Sequence, residues 1–278
     1  MPEQETASPR EFTLQSLILE TPSVQEPTDV AYEYCKQATG TDLQDTPVLL
    51  AMHGLGSDMQ GGKIEKAKAW ALENGHGFAR FDYPGHGSSG GEMVEFTMSQ
   101  ALDAALHLMD KIIARPVVLT GSSTGGWLAL LLAKARPEKV KGIVTIANAC
   151  DYTEDLYWQK FSPQQQAEIK QKGFYEKRFP DGFGFKLGLC LFEDGRKHLL
   201  FDGRSQKAGL GDITCPARLL HGTADAAVPW QTSVRVAEEL GGADVAANII
   251  PHADHRFSEE QNKQTLLQAL RDVYRTSQ

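Results

Sequence analysis

The sequence predicts an α/β fold in which a mostly parallel sheet is flanked by helices on both faces. Several apolar runs, such as residues 47–52 and 140–147, lack polar alternation, which is typical of strands buried on both faces. These runs alternate with amphipathic patterns of helical period. Alternating strands and helices build parallel sheets through right-handed crossovers. The 278 residues suffice for one large domain of this kind with an insertion, or for two small domains.

The first strands are expected at residues 12–19 and 30–35. They are consecutive and joined by a short, proline-marked connection, so they most simply form an antiparallel edge. Residues 1–11 are polar and are predicted to be disordered. The other core elements are expected in this order: strand 47–52, helix 62–74, strand 78–81, helix 98–113, strand 116–120, helix 127–133, strand 140–147, strand 217–220, helix 232–240, strand 245–250 and helix 259–274.

The alternation of strands and helices stops between residues 148 and 212, where aromatic residues and glycines accumulate. This segment is predicted to be an inserted cap with a helix around 163–172, a mobile stretch, and a second helix around 187–200. Part of its apolar side chains pack locally, and the rest are candidates to face a substrate. The α/β core is accordingly assigned to residues 12–147 and 213–278.

Composition narrows the class of protein. The net charge of −8 argues against a surface that tracks nucleic-acid phosphates. The four cysteines are scattered without a C-x-x-C pair, so neither a metal site nor a disulfide scaffold is expected. No apolar run reaches the roughly 18 to 20 residues of a membrane span. The acidic N-terminus is unlike a signal or transit peptide, so a cytoplasmic protein is predicted.

The pentad Gly121-Ser122-Ser123-Thr124-Gly125 lies between a predicted strand and a predicted helix. A G-x-S-x-G sequence in that context predicts a nucleophile elbow, a strained turn that lifts its central serine clear of the sheet. Ser123 occupies the central position and is therefore the predicted nucleophile, whereas Ser122 is its neighbour.

A serine hydroxyl must lose its proton as it attacks, so it needs a histidine that a carboxylate orients. The chain order serine, acid, histidine accompanies this elbow. Asp225, just past a predicted strand, is the preferred acid, and Asp151 is the runner-up. His255, immediately before the terminal helix, is preferred over His252 as the base.

A tetrahedral intermediate also needs backbone N–H donors for its oxyanion. Thr124, directly after the nucleophile, and Leu55, in the loop after strand 47–52, are the predicted donors. His53, His86 and His221 are interpreted as structural. The turn that starts at Asp82 has glycines but no P-loop lysine, so it too is interpreted as structural. The predicted substrate contacts are His53, Gly54, Asp151, Tyr152 and Trp158.

The motifs, in their order, resemble the serine α/β-hydrolase superfamily over residues 12–274. They are H-G-x-G at His53, D-x-x-G-x-G-x-S from Asp82, G-x-S-x-G around Ser123, and the loops of Asp225 and His255. Residues 121–127, 135–140, 219–222, 228–230 and 254–256 are similar to the branch of the mitochondrial α/β-hydrolase-domain protein ten and its bacterial relatives. The resemblance implies an α/β-hydrolase fold, and it associates the chain with cleavage of acyl thioesters on proteins and of acyl glucuronides.

The predicted function is hydrolysis of carboxylic esters or thioesters with a medium acyl group, through an acyl-enzyme on Ser123. The expected partner is a small-molecule acyl ester or thioester, or an acylated protein, and no cofactor is expected. Two alternatives stay open. One is an amide hydrolase of aminopeptidase type, for which Asp151, Glu154 and Asp155 could grip the substrate amine. The other is a hydrolase-fold protein that binds a ligand without turnover.

Overall fold

A central eight-stranded sheet organises the structure, a computed structural model that describes residues 12–24, 26–36, 46–178, 184–201 and 209–276. The predicted disorder of residues 1–11 lies outside the described residues. The strands of this sheet are β1 (Gln15–Leu19), β2 (Thr28–Cys35), β3 (Val48–Met52), β4 (Phe78–Phe81), β5 (Val117–Ser122), β6 (Val140–Ile146), β9 (Ala217–Gly222) and β10 (Val245–Ile250). Their spatial order is β1-β2-β4-β3-β5-β6-β9-β10.

The sheet is mostly parallel, as the sequence predicts. β1 pairs antiparallel with β2, and β2 pairs antiparallel with β4, which confirms the expected antiparallel edge. From β4 to β10 every neighbouring pair is parallel. The carboxyl ends of these strands therefore meet at one edge of the sheet, where ligands bind in open α/β folds.

Helices cover both faces of the sheet. On one face α1 (Gly62–Glu73) and α7 (Glu260–Thr276) share a hydrophobic cluster, and on the other face lie α2 (Met98–His107), α3 (Thr124–Ala135) and α6 (Gln231–Glu239). The whole of β3 is buried, and alternate side chains along it join the two clusters. A strand whose two faces are both buried is apolar at consecutive positions. The position of β3 could therefore be predicted from the sequence.

The ends of α2 follow from local sequence. Thr97 and Gln100 form a capping box, in which each side chain accepts a hydrogen bond from the backbone N–H of the other residue. After His107 the chain continues as a π-helical turn, Leu108–Ile113, and Ala114 stops it with a φ of 50°. The predicted helix over 98–113 is thus helical throughout, with a wider final turn.

The described residues between β6 and β9 add no strand to the eight-stranded sheet. They comprise two short helical turns (Thr153–Tyr157 and Trp158–Lys160), α4 (Pro163–Lys172), the strands β7 (Phe174–Arg178) and β8 (Gly184–Gly188), α5 (Leu189–Gly195) and a 3₁₀ turn (Arg196–His198). The helix expected around 163–172 is confirmed by α4. We call this part of the chain the β6–β9 segment.

The structure refines two expectations for the β6–β9 segment. Where a mobile stretch was predicted between the two helices, β7 and β8 pair antiparallel, with Phe174 opposite Gly188. The second helix, expected around 187–200, is present as α5, which starts at Leu189 and ends at Gly195, followed by the 3₁₀ turn Arg196–His198. Residues up to Gly188 cannot join that helix because their backbone groups are paired with β7.

Candidate active site

Ser123 occupies a strained turn between β5 and α3. Its φ of 56° and ψ of −116° are values that non-glycine residues seldom adopt. Neighbouring backbone groups hold the turn in place. The Ser123 N–H donates to the Ile146 carbonyl at 2.9 Å, and the Ser123 carbonyl accepts from the N–H groups of Gly126 and Ala149 at 2.9 and 3.2 Å.

The glycines of the pentad are required by close approach of backbone to backbone. A side chain on Gly121 would overlap the carbonyl of Gly125, and the first carbon of a side chain on Gly125 would lie 2.5 Å from the Met52 carbonyl oxygen. The helix start can therefore press against β3 and β5 only because both positions lack a side chain.

Asp225 and His255 are in direct contact. Asp225 follows β9, and its Oδ2 atom lies 2.7 Å from Nδ1 of His255. Its other oxygen, Oδ1, accepts the backbone N–H groups of Ala227 and Val228, both at 2.8 Å. Burial raises the pKa of Asp225, but hydrogen bonds from His221 and His255 lower it by a larger amount. The resulting pKa lies below the usual range for an aspartate. The carboxylate is therefore ionised and fixed in orientation.

Ser123 and His255 line the same cavity, of about 790 Å³. Because Nδ1 of His255 faces Asp225, its Nε2 is the nitrogen left to act as a base. Within the described residues no hydrogen bond joins the Ser123 hydroxyl to the His255 ring.

The two predicted oxyanion donors, Leu55 and Thr124, also line this cavity. Thr124 is the first residue of α3, so its N–H has no partner within the helix. The Leu55 loop is held by a turn in which the Ser57 N–H donates to the Gly54 carbonyl at 3.1 Å.

His53 stabilises the loop that contains Leu55. Its Nε2 accepts the Tyr83 N–H at 3.3 Å, so its Nδ1 carries the proton and donates to the Gly54 carbonyl at 2.8 Å. The Tyr83 hydroxyl donates to the His53 carbonyl at 2.7 Å. Burial lowers the pKa of His53 to about 4, so the ring is neutral near pH 7. Asp82, which accepts the backbone N–H groups of Met59 and Ser88, holds the adjoining turn as expected.

Three of the five predicted substrate contacts, His53, Gly54 and Tyr152, line the cavity. Asp151 and Trp158 do not, and their positions correct the prediction. The Asp151 carboxylate accepts the backbone N–H groups of Leu200 and Phe201 at 2.8 to 3.0 Å. Trp158 packs against Phe192 and the Arg196 guanidinium, with its ring centroid 5.6 Å from that of Phe192.

The cavity has walls of two kinds. Leu156, Tyr157 and Phe185 of the β6–β9 segment form an apolar wall, and Phe185 also packs against Gly56 of the Leu55 loop. Lys63, Arg256 and Lys263 line another part, where the Lys63 ammonium donates to the Arg256 carbonyl at 2.7 Å and burial lowers the pKa of Lys63 to about 8. The apolar wall agrees with the expectation that some apolar side chains of residues 148–212 face a substrate, although its three members were not singled out. Sequence reasoning missed the basic part, because its residues come from separate elements and share no motif.

The described residues contain no cluster of three or more histidine, cysteine, aspartate or glutamate side chains arranged to hold a metal ion. None of the helices described is both long and apolar enough to cross a membrane.

Asp151 gives a testable pH dependence of stability. Burial raises its pKa to about 6, against about 4 in an unfolded chain. The folded state therefore binds the proton more tightly, and its stability declines as pH rises from about 4 to 6, by up to about 2 to 3 kcal/mol. Wild type should be more stable than Asp151→Asn by a larger margin at pH 4.5 than at pH 7 in urea unfolding.

The control for this measurement is Asp155→Asn, because Asp155 is a more exposed neighbour whose carboxylate lies 3.6 Å from the Arg235 guanidinium. Its margin should be nearly equal at the two pH values. Equal margins for Asp151→Asn as well would show that the Asp151 carboxyl is not the titrating group.

The parallel sheet with its antiparallel edge, the strained serine turn after β5, and the acid and histidine after later strands define an α/β hydrolase. The chain belongs to the alpha/beta hydrolase family, whose sequence model matches residues 48–269. It is 34% identical over 230 residues to the mouse mitochondrial palmitoyl-protein thioesterase ABHD10, an alignment that covers 82% of this chain and 75% of the relative.

Solved structures agree with this assignment. A putative hydrolase from Agrobacterium vitis S4 has a TM-score of 0.86 at 30% identity, over 95% of this chain and 99% of that one. Mouse alpha/beta hydrolase domain-containing protein 10 has a TM-score of 0.77 at 31% identity, over 94% of this chain and 98% of that one. The predicted resemblance to that branch of the superfamily is thereby confirmed.

Proposed function

We propose that this protein is a serine hydrolase that cleaves carboxylic esters or thioesters through an acyl-enzyme on Ser123. One observation carries the proposal. His255, whose Nδ1 lies 2.7 Å from Oδ2 of Asp225, lines the same cavity as Ser123, whose φ is 56°. A nucleophile, a base and an orienting acid have no comparable structural use at the carboxyl edge of the sheet.

In the proposed reaction, the Ser123 oxygen attacks the substrate carbonyl while His255 Nε2 takes the hydroxyl proton. Asp225 keeps the other ring proton on Nδ1 and stabilises the imidazolium. The Leu55 and Thr124 N–H groups stabilise the oxyanion, a contribution of about 3 to 4 kcal/mol per donor in tested enzymes. His255 then protonates the leaving alcohol or thiol. Water, activated by the same ring, releases the acid.

The proposed substrate has a medium-length acyl group. The apolar wall of Leu156, Tyr157 and Phe185 supports this, because alkyl chains gain about 0.8 kcal/mol per buried methylene. We assign these three residues to a cap over the site, formed by residues 148–212. The name of the mouse relative, a palmitoyl-protein thioesterase, supports a thioester and extends the substrate candidates to acylated proteins.

The aminopeptidase alternative loses its support at the acidic residues. Asp151 is engaged by the Leu200 and Phe201 N–H groups, Glu154 lies 3.0 Å from Arg196, and Asp155 pairs with Arg235. None of the three lines the cavity, where Lys63, Arg256 and Lys263 outnumber the acidic Asp58 and disfavour a substrate ammonium. A ligand-binding protein without turnover would not need the Asp225–His255 contact. We therefore place ester and thioester hydrolysis first.

The cytoplasmic localisation stays a prediction. The mouse relative is named as mitochondrial.

The deciding experiment compares p-nitrophenyl esters and acyl thioesters of increasing chain length with aminoacyl p-nitroanilides on the purified protein. We expect turnover of esters and thioesters with a maximum at medium chain length, and little or none of the anilides. A preference for anilides would establish the amide hydrolase instead. Tight binding of acyl ligands without turnover of any substrate would establish the ligand-binding alternative.

A further inference from the structure

A second histidine contacts the carboxylate that orients His255. His221, near the end of β9, is fully buried, and its Nε2 lies 3.1 Å from Oδ2 of Asp225. Oδ2 is also the oxygen that contacts Nδ1 of His255 at 2.7 Å. Two imidazole rings therefore share one carboxylate oxygen, and only one of them, His255, lines the cavity.

The neighbours of His221 define which of its nitrogens carries the proton. Nε2 faces two acceptors, Oδ2 of Asp225 and the Val228 carbonyl, each at 3.1 Å, so it must be a donor. Nδ1 lies 2.8 Å from the Ser233 hydroxyl, which can donate to it. A neutral ring with its proton on Nε2 satisfies every partner.

A structural role for His221 needs fewer contacts than the structure provides. The Ser233 hydroxyl and the Val228 carbonyl already give each ring nitrogen one partner. Contact with Asp225 is additional, and it is directed at the one oxygen that the base uses. A donor at that position withdraws negative charge from Oδ2 and limits how far the carboxylate can rotate.

We propose that His221 is a positioning residue, which fixes the Asp225 carboxylate and moderates the negative charge that this carboxylate presents to His255. The effect of His221 on catalysis rests on the proposed function, whereas its effect on the His255 ring does not. Without the His221 donor, Oδ2 would hold the proton on His255 more strongly. The acidic limb of the pH profile, which requires neutral His255, would then move to higher pH.

Other charges near His255 are the same in every variant to be compared. They are Asp254 and Arg256, its chain neighbours, Lys63 of α1, whose ammonium donates to the Arg256 carbonyl, and Lys263 of α7, which lines the same cavity. A shift seen only when the donor of His221 is removed therefore reports on Asp225 and not on these groups.

The test compares His221→Leu with His221→Gln. The Gln amide nitrogen takes the place of Nε2 and keeps a donor on Asp225, whereas Leu has none. For His221→Leu we expect kcat/KM for a p-nitrophenyl ester to fall by about tenfold, the effect of one hydrogen bond to a charged group. We expect its acidic limb to rise by about 0.5 to 1 pH unit. His221→Gln should keep the wild-type limb.

A matched control is available in a second serine, histidine and aspartate cluster. His198 Nε2 contacts the Ser99 hydroxyl at 2.7 Å and lies 3.6 Å from Asp194, away from the cavity. His198→Leu should lower the melting temperature without moving the acidic limb. If His221→Leu does not fold, His221→Asn replaces it, because the Asn amide reaches the position of Nδ1 but not that of Nε2.

The second readout does not need turnover. NMR titration of the His255 Cε1–H, assigned by its loss in His255→Gln, should give a higher ring pKa in His221→Leu than in wild type and in His221→Gln. An unchanged titration in His221→Leu would overturn the inference. Ester turnover by wild type would still support the proposed function in that case. If wild type has no turnover, the proposed function fails and the NMR shift still decides the role of His221.

Discussion

Replacing Ser123 with alanine should lower kcat for a p-nitrophenyl ester by about 10⁴- to 10⁶-fold, the range for nucleophile removal in serine hydrolases. The reason is that the proposed acyl-enzyme route needs the Ser123 hydroxyl, and the remaining groups could only orient substrate and polarise its carbonyl. Steady-state kinetics on the substrate with the highest turnover measure the effect. A fluorophosphonate probe, which reacts with activated serines, should label wild type and fail to label Ser123→Ala.

Ser122→Ala is the matched control, because Ser122 is the adjacent serine at the end of β5. It should keep probe labelling and lose far less activity than Ser123→Ala. Equal labelling of wild type and Ser123→Ala would remove Ser123 from the mechanism. Labelling lost in Ser122→Ala but kept in Ser123→Ala would move the nucleophile by one residue.

The strain at Ser123 adds an independent expectation to the same set of variants. Ser123→Gly should be more stable than Ser123→Ala by about 1 kcal/mol, because glycine accepts a φ of 56° without steric cost. Part of this gain is offset by the greater entropy of glycine in the unfolded chain. Urea unfolding of the two inactive variants measures the difference. Equal stabilities would mean that the strain at this residue is no larger than the entropic cost of glycine.

Local patterns in the sequence were enough for the sheet and for the strained serine. The strand β3 is apolar at every position because both of its faces are buried, so its position could be read without knowledge of its partners. The pentad around Ser123 carries its own requirement for glycine at two positions of close backbone approach. Both signals arise within a few residues, and the structure contains both features.

The hairpin of β7 and β8 left no such signal. β7 reads Phe-Tyr-Glu-Lys-Arg and has no fully buried residue, so it lacks the alternation that identifies a strand. The chain directly after the hairpin contacts a distant 3₁₀ turn (Met93–Glu95), where the Cys190 thiol lies 3.4 Å from the Val94 carbonyl. A structure fixed by contacts between residues 96 positions apart cannot be read from local sequence.

Asp151 and His221 show the same limit within the site. Asp151 follows β6 at the carboxyl edge of the sheet, as the prediction required, but its carboxylate turns to backbone N–H groups 49 and 50 residues further along the chain. His221 ends a strand, a position for which the sequence predicts a structural role, yet its ring contacts Asp225, four residues further along the chain. Position along the chain identified the edge of the sheet, whereas side-chain direction had to come from the structure.

Replacing Asp225 with asparagine should lower kcat by about 10³- to 10⁴-fold with little change in the fold. The contacts of the carboxylate explain why so small a change is so costly. Oδ1 accepts the Ala227 and Val228 N–H groups, so the amide oxygen of asparagine must occupy that side. Its NH₂ group, which is a donor, then faces Nδ1 of His255, so Nδ1 must act as the acceptor. The ring is forced to carry its proton on Nε2 and can no longer accept one from Ser123.

The matched control for this variant is Asp254→Asn, which removes the same charge beside His255 from a carboxylate that accepts hydrogen bonds from Ser258. Its kcat should stay within about tenfold of wild type, because charge alone contributes less than orientation near a solvated surface. Similar losses in the two variants would show that Asp225 acts through charge and not by setting the tautomer of His255.

Stability should follow pH differently from activity in Asp225→Asn. The folded-state pKa of Asp225 is depressed, since hydrogen bonds from His221 and His255 outweigh burial. Its ionised form therefore stabilises the fold above the unfolded pKa of about 4, and this contribution is lost as pH falls towards the folded value. Wild type should exceed Asp225→Asn in unfolding free energy at pH 7, and the margin should shrink below about pH 4. A margin that stayed constant would show that the hydrogen bonds from the two histidines serve catalysis but do not stabilise the fold.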